Sequence, residues 1–137
     1  MAGSSQEITF SEVRFDSRAT GDLWEIEGMT SARLLQYQKD IDAGRVRVVG
    51  VSVAGQRRAT FLYSLQRNPE GQIAFVIHEM GGRTDQGVVL VDATEMAARQ
   101  MAKSAGASVM RFWTKRTGFI RRLQDRFELN YVLEGRV

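Results

Sequence analysis

Cysteine is absent from the 137 residues, which excludes disulfides, thiolate metal sites and a cysteine nucleophile. A single histidine, His78, leaves too few ligands for a transition-metal centre built by the protein itself. Asp40-Ile41-Asp42 lacks the spacing of a calcium loop. No Gly-x-Ser-x-Gly, His-Glu-x-x-His or Walker pattern occurs. Charge interrupts every apolar run well before the ~18 residues a membrane span needs. The opening "MAGSSQEITF" has neither the basic nor the apolar region of a secretory signal. These absences point to a protein of the cytoplasm, or of the inside of a particle, with no membrane partner.

Hydrophobic residues make up 43% and charged residues 26%, ordinary values for one folded domain with a real core. The expected domain spans residues 1–137, with 1–6 flexible. The net charge of +3 is too small to make the whole surface a nucleic-acid binder. It is unevenly spread, however. Arg111, Lys115, Arg116, Arg121, Arg122 and Arg126 face a single acid, Asp125, within one short stretch. That stretch is either a solvated helix face or a local contact for an anion such as nucleic acid. Phe112, Trp113, Phe119 and Phe127 interleave with it, as core residues or as stacking partners.

Apolar periodicity orders the chain as β-α-β-β-β-α-β-α-β. "EITFSEVRF" reads as a strand. "MTSARLLQYQKDIDAGR" reads as a helix capped by Thr30, carrying Leu34, Leu35, Gln38 and Ile41 on adjoining faces and stopped at Gly44. "VRVVGVSVAG" and "RRATFLYSLQR" form a hairpin around Ala54-Gly55-Gln56, and "NPEG" marks the next turn. "QIAFVIHEM" is a nearly continuous apolar strand, the pattern of a strand covered on both faces. A paired-glycine turn, Gly81-Gly82, follows it. Leu90, Thr94, Ala97, Met101 and Ala105 then repeat at helical spacing up to Gly106. "SVMRFW", "TGFIRRLQDRF" and "LNYVLEGRV" read as strand, short helix and closing strand. The fold class is α/β or α+β: a mixed, mostly antiparallel sheet with one βαβ crossover and flanking helices.

Three antiparallel strands ahead of one βαβ unit, with the stretch "MAARQMAKSAGASVMRFWTKRTGFIRRLQDRFELNYVLEGRV", resemble the GNAT superfamily of N-acetyltransferases. More narrowly, "GGR", "AKSAGASVMRF", "KRTGF" and "YVLEGRV" look like small acetyltransferase-like proteins of tailed bacteriophages. The resemblance covers residues 45–137 and implies acetyl-CoA as cofactor and an amine as acceptor. It places the cofactor's pantetheine arm beside Val76, Ile77, His78 and Glu79 and its pyrophosphate at residues 82–88, with Gly81, Gly82, Arg83 and Gly87 counted with Val76 and Ile77 as cofactor-binding residues. A helix N-terminus reached through glycines suits a pyrophosphate.

The sequence also departs from the superfamily pattern. In Arg83-Thr84-Asp85-Gln86-Gly87-Val88 the glycine comes one place late, Val88 replaces a small residue, and Asp85 sets a carboxylate where phosphate charge would gather. Arg122 holds the place of the superfamily's helix tyrosine, and Tyr131 falls in the closing strand. His78, on the face shared by Ala74 and Val76, and Glu79 are the candidate catalytic bases. Trp24 and Tyr37 would border a substrate mouth. A non-catalytic virion, ejection or assembly protein, or one that self-associates, is the alternative that these departures favour.

Overall fold

A computed structural model describes residues 7–26, 28–82 and 87–112. Arg83, the expected short helix and closing strand, and Lys115, Arg116, Arg121, Arg122 and Tyr131 lie outside the described residues. The described elements run β1 (Ile8–Glu12), α1 (Ser17–Trp24), α2 (Ser31–Asp42), β2 (Arg47–Val53), β3 (Gln56–Arg67), β4 (Ile73–Gly82), α3 (Gly87–Ser104) and β5 (Val109–Phe112). The strands form one sheet in chain order, β1-β2-β3-β4-β5. The first three pairings are antiparallel, and β4 pairs with β5 in parallel after the crossover through α3. This is the mixed α/β sheet that the periodicity predicts.

Sequence chemistry accounts for the joints. Val53 pairs directly with Gln56, so the hairpin turn is only Ala54-Gly55, both at positive φ (53° and 80°). Thr30 accepts from the Arg33 amide and caps α2. α1 is an element that the periodicity reading passes over. Asp16 caps it by accepting from the Ala19 amide, and Ala19, Asp22 and Leu23 form its buried face.

Each face of the sheet carries its own core. Toward α3, Val49, Val51, Phe61, Tyr63, Phe75, Ile77 and Met80 meet Val91, Ala93, Ala97, Ala98 and Ala102. Toward α1 and α2, Val46, Val48 and Leu62 meet Ala19, Leu23 and Ile26, with Leu34, Tyr37 and Ile41 packed alongside. No residue of α2 is fully buried. Its Leu35 is 64% exposed, because Leu34, Tyr37 and Ile41 form the stripe that meets the sheet.

Two irregularities break the ladders. Between β3 and β4, Leu62 pairs with Glu79 and Tyr63 with Ile77, leaving His78 as an extra residue. Between β2 and β3, Val51 pairs with Ala59 and Ser52 with Arg57, leaving Arg58 as an extra residue. Both are β-bulges, devices that re-aim side chains.

Candidate active site on the bulged strand

Strict alternation would turn Glu79 back toward α3, with Ile77. The bulge prevents this. Ile77 and Met80 both belong to the α3-side core, so the two residues between them project together toward α2. A strand thus presents two consecutive titratable side chains on one face.

Glu79 lies beneath α2, its side chain 11% exposed. Its Oε1 accepts from the Tyr37 hydroxyl at 3.0 Å and from an Nη of Arg33. Burial raises the Tyr37 pKa, with Asp40 adding to the rise and Arg33 opposing it, so the phenol stays protonated and donates. His78 is half-buried, with Nε2 2.7 Å from the Ser64 hydroxyl on β3. Burial lowers its pKa, and the Asp40 carboxylate pulls it partway back. His78 is therefore a neutral imidazole at pH 7. Asp40 itself is held below the usual carboxylate range chiefly by its bond from Arg45 at 2.8 Å. An open cleft of about 540 Å³ reaches His78, lined also by Asp40, Arg45, Arg47, Ser64 and Gln66.

The expected cofactor residues fall into three groups. Val76 and Ile77 are fully buried and already paired with Arg111 and Phe112 of β5. Among the described residues the β4–β5 pairing ends there, and Glu79–Gly82 pair with β3 alone. Gly81 and Gly82 do not form a turn; they are the last residues of β4. A Cβ on Gly81 would meet the Asp22 carbonyl oxygen at 2.3 Å, and one on Gly82 the Arg58 carbonyl oxygen at 2.6 Å. Both glycines let α1 and β3 approach the strand closely, so neither leaves an open cradle for a phosphate. Gly87 is the first residue of α3, and Arg83 is outside the described residues.

Sequence reasoning missed Arg33, Ser64 and Asp40 as neighbours of the pair, and it assigned Tyr37 only to a substrate mouth. Trp24, its companion there, ends α1 and is 54% exposed. Arg111 sits in β5 opposite Val76, within the sheet. Among the described residues no group of acids and histidines could hold a metal, and no helix is long and apolar enough to cross a membrane.

No protein-family model matches the chain, and no curated protein matches it. Solved structures do match across nearly its whole length. A possible acetyltransferase from Clostridium difficile 630 superposes with a TM-score of 0.66 at 14% identity, over 95% of this chain and 97% of that one. Glucosamine-6-phosphate N-acetyltransferase from Arabidopsis thaliana gives 0.63 at 10% identity, over 96% and 98%. Ribosomal-protein-alanine N-acetyltransferase from Brucella melitensis biovar Abortus 2308 gives 0.64 at 10% identity, over 96% and 98%. The chain has the fold of the GNAT acetyltransferases.

Proposed function

We propose that this protein is an acetyl-CoA-dependent N-acetyltransferase acting on an amine, with His78 and Glu79 as its catalytic pair. The observation that carries this reading is the bulge at His78, which sets both side chains side by side on β4. The fold is shared with N-acetyltransferases, but fold by itself does not fix function.

When bound, acetyl-CoA supplies an acetyl group activated as a thioester. The backbone amides of β4 beyond Ile77 and the first turn of α3 at Gly87 are the groups suited to hold it, the latter through helix N-terminal amides. The strand amides also suit a developing oxyanion. Gly81 and Gly82 serve instead by keeping the strand close to α1 and β3. His78, neutral because it is half-buried, would accept the proton that the amine loses as the C–N bond forms and would return it to the thiolate released when the C–S bond breaks. Glu79 attracts the cationic amine and returns it to the base, once it exchanges Arg33 for the substrate. Direct amine attack depends mostly on positioning, so this short catalytic list is sufficient chemistry.

The second reading keeps the fold without catalysis, as a phage virion or assembly protein. The shifted glycine and Asp85 in the segment 83–88 favour it. Calorimetric titration with acetyl-CoA separates the two. The enzyme reading expects micromolar binding, about −8 kcal/mol. It further expects His78→Gln and Glu79→Gln to slow acetylation of a primary-amine panel at least tenfold while leaving that affinity intact. No heat at millimolar acetyl-CoA retires the enzyme reading and leaves the assembly protein.

A further inference from the structure

The second bulge does for β3 what the first does for β4. Arg58 is the extra residue, so Arg57 and Arg58 both flank the side of the sheet on which α1 lies. There they join Arg18 of α1 around a cleft of about 360 Å³, whose lining is completed by Gln56. The cleft lies about 13 Å along β3 from the bulge at His78, taking four residues at ~3.3 Å each.

Three guanidiniums in one place need anions, and the described residues supply two. Arg57 pairs with Asp16 at 3.2 Å, and Arg18 lies 3.7 Å from Asp22. Asp22 is further engaged by the Thr60 hydroxyl at 2.7 Å. Arg58 has no ion pair among the described residues, so one of the three guanidiniums is left without a carboxylate there. The Nε atoms of Arg18, Arg57 and Arg58 are all buried without a hydrogen-bond partner among the described residues. Buried N–H groups are ordinarily satisfied; Arg18 Nε faces the Asp22 carboxylate at 3.7 Å, which leaves Arg57 and Arg58 as the unmatched donors beside the cleft. Their geometry is also fixed. Arg57 packs over the bare backbone of Gly50, where a Cβ would meet its Nε at 2.9 Å. Arg18 is tied to the Arg57 carbonyl through Nη2, and Arg57 Nη2 lies 3.4 Å from the Thr60 hydroxyl.

We propose that Arg18, Arg57 and Arg58 form a binding site for a phosphate or phosphate ester, separate from the His78–Glu79 pair. Guanidinium forks match such an oxyanion, and Arg58, which has no ion pair among the described residues, offers the charge it would neutralise. The site stands whether or not the protein transfers acetyl groups.

The test uses the Nε–Hε resonances of the full chain in nitrogen-15 NMR, titrated with inorganic phosphate against chloride at constant ionic strength. Saturable shifts at Arg18, Arg57 and Arg58, with the surface-paired Arg45 and Arg47 unmoved, are expected. Arg58→Gln, which breaks no ion pair or side-chain hydrogen bond among the described residues, should weaken phosphate binding at least tenfold. Asp16→Asn keeps an oxygen for the α1 cap and removes a competing carboxylate, so it should tighten binding two- to threefold. Two variants of opposite sign separate a binding effect from damage to the fold. Equal drift of every arginine, or unchanged affinity in both variants, overturns the site. Titration with CoA and with dephospho-CoA then assigns the source: a preference for CoA identifies the cofactor's 3′-phosphate, and equal weak binding a free phosphate ester.

Discussion

At the scale of single residues, two glycines with different neighbours make opposite predictions. Gly81 faces backbone, since its missing Cβ would fall 2.3 Å from the Asp22 carbonyl oxygen. Gly81→Ala must push α1 off the strand and is expected to cost about 1–3 kcal/mol in denaturant unfolding. Gly21, inside α1, has nothing within 4 Å of its would-be Cβ. Gly21→Ala is expected to stabilise by roughly 0.5–1 kcal/mol through helix propensity. His78 sets a pH dependence. Its folded pKa lies below the ordinary 6.5 because burial disfavours the imidazolium. The unfolded chain therefore binds the proton more readily, and stability present above pH 6.5 declines as the pH falls through the lowered folded value. Urea midpoints measured across that window should fall in wild type and flatten in His78→Gln. The histidine was identifiable in the sequence as the one group suited to proton transfer near neutrality. Its partner Ser64 was not, because their contact depends on a register that alternation alone does not reveal.

At the scale of elements, α2 is the least anchored of those described. It buries no residue completely and meets the sheet through a half-buried stripe plus the polar ties of Arg33 and Tyr37 to Glu79. Tyr37→Phe keeps the ring and removes one donor to a nearly buried carboxylate, a loss of about 1–3 kcal/mol. Hydrogen exchange should show the amides of Leu34–Ile41 opening sooner in this variant while those of β3 and β4 keep their protection. Global melting would move far less than the local exchange. Helix α2 was legible from Thr30 and Gly44, and α3 from its three-to-four repeat. α1 was not, since Gly21 and exposed residues dilute its short pattern. Yet Ala19, Asp22, Leu23 and Ile26 do recur at helical spacing behind Asp16, and a buried aspartate hides that stripe from a purely apolar count.

At the scale of the whole molecule, the sheet is a partition between two cores of unlike texture. The α3 side is lined by small helix residues, with Ala93, Ala97 and Ala98 all at 0% exposure against Phe61 and Phe75. Ala97→Leu inserts a branched side chain where the helix lies close to the sheet, and about 1–3 kcal/mol of destabilisation is expected. That should appear as a thermal midpoint several degrees lower, with the unfolding transition still single. Strand order, the parallel β4–β5 pairing and the placement of both cores follow from periodicities that the sequence displays. The candidate site followed only partly, because both bulges shift the phase of alternation midway along a strand. The sign of the first is visible afterwards in Ile77-His78-Glu79-Met80, where apolar residues recur at three rather than two. The ladders also define a minimum length for the chain. Remove His78, and Leu62–Glu79 and Tyr63–Ile77 become neighbouring rungs of a regular ladder; remove Arg58, and Val51–Ala59 and Ser52–Arg57 do the same. Each is therefore a surplus letter that the architecture can lose by single-codon deletion. Such a deletion should leave a folded protein that lacks one chemical capacity, a cleaner erasure than any substitution at the same position.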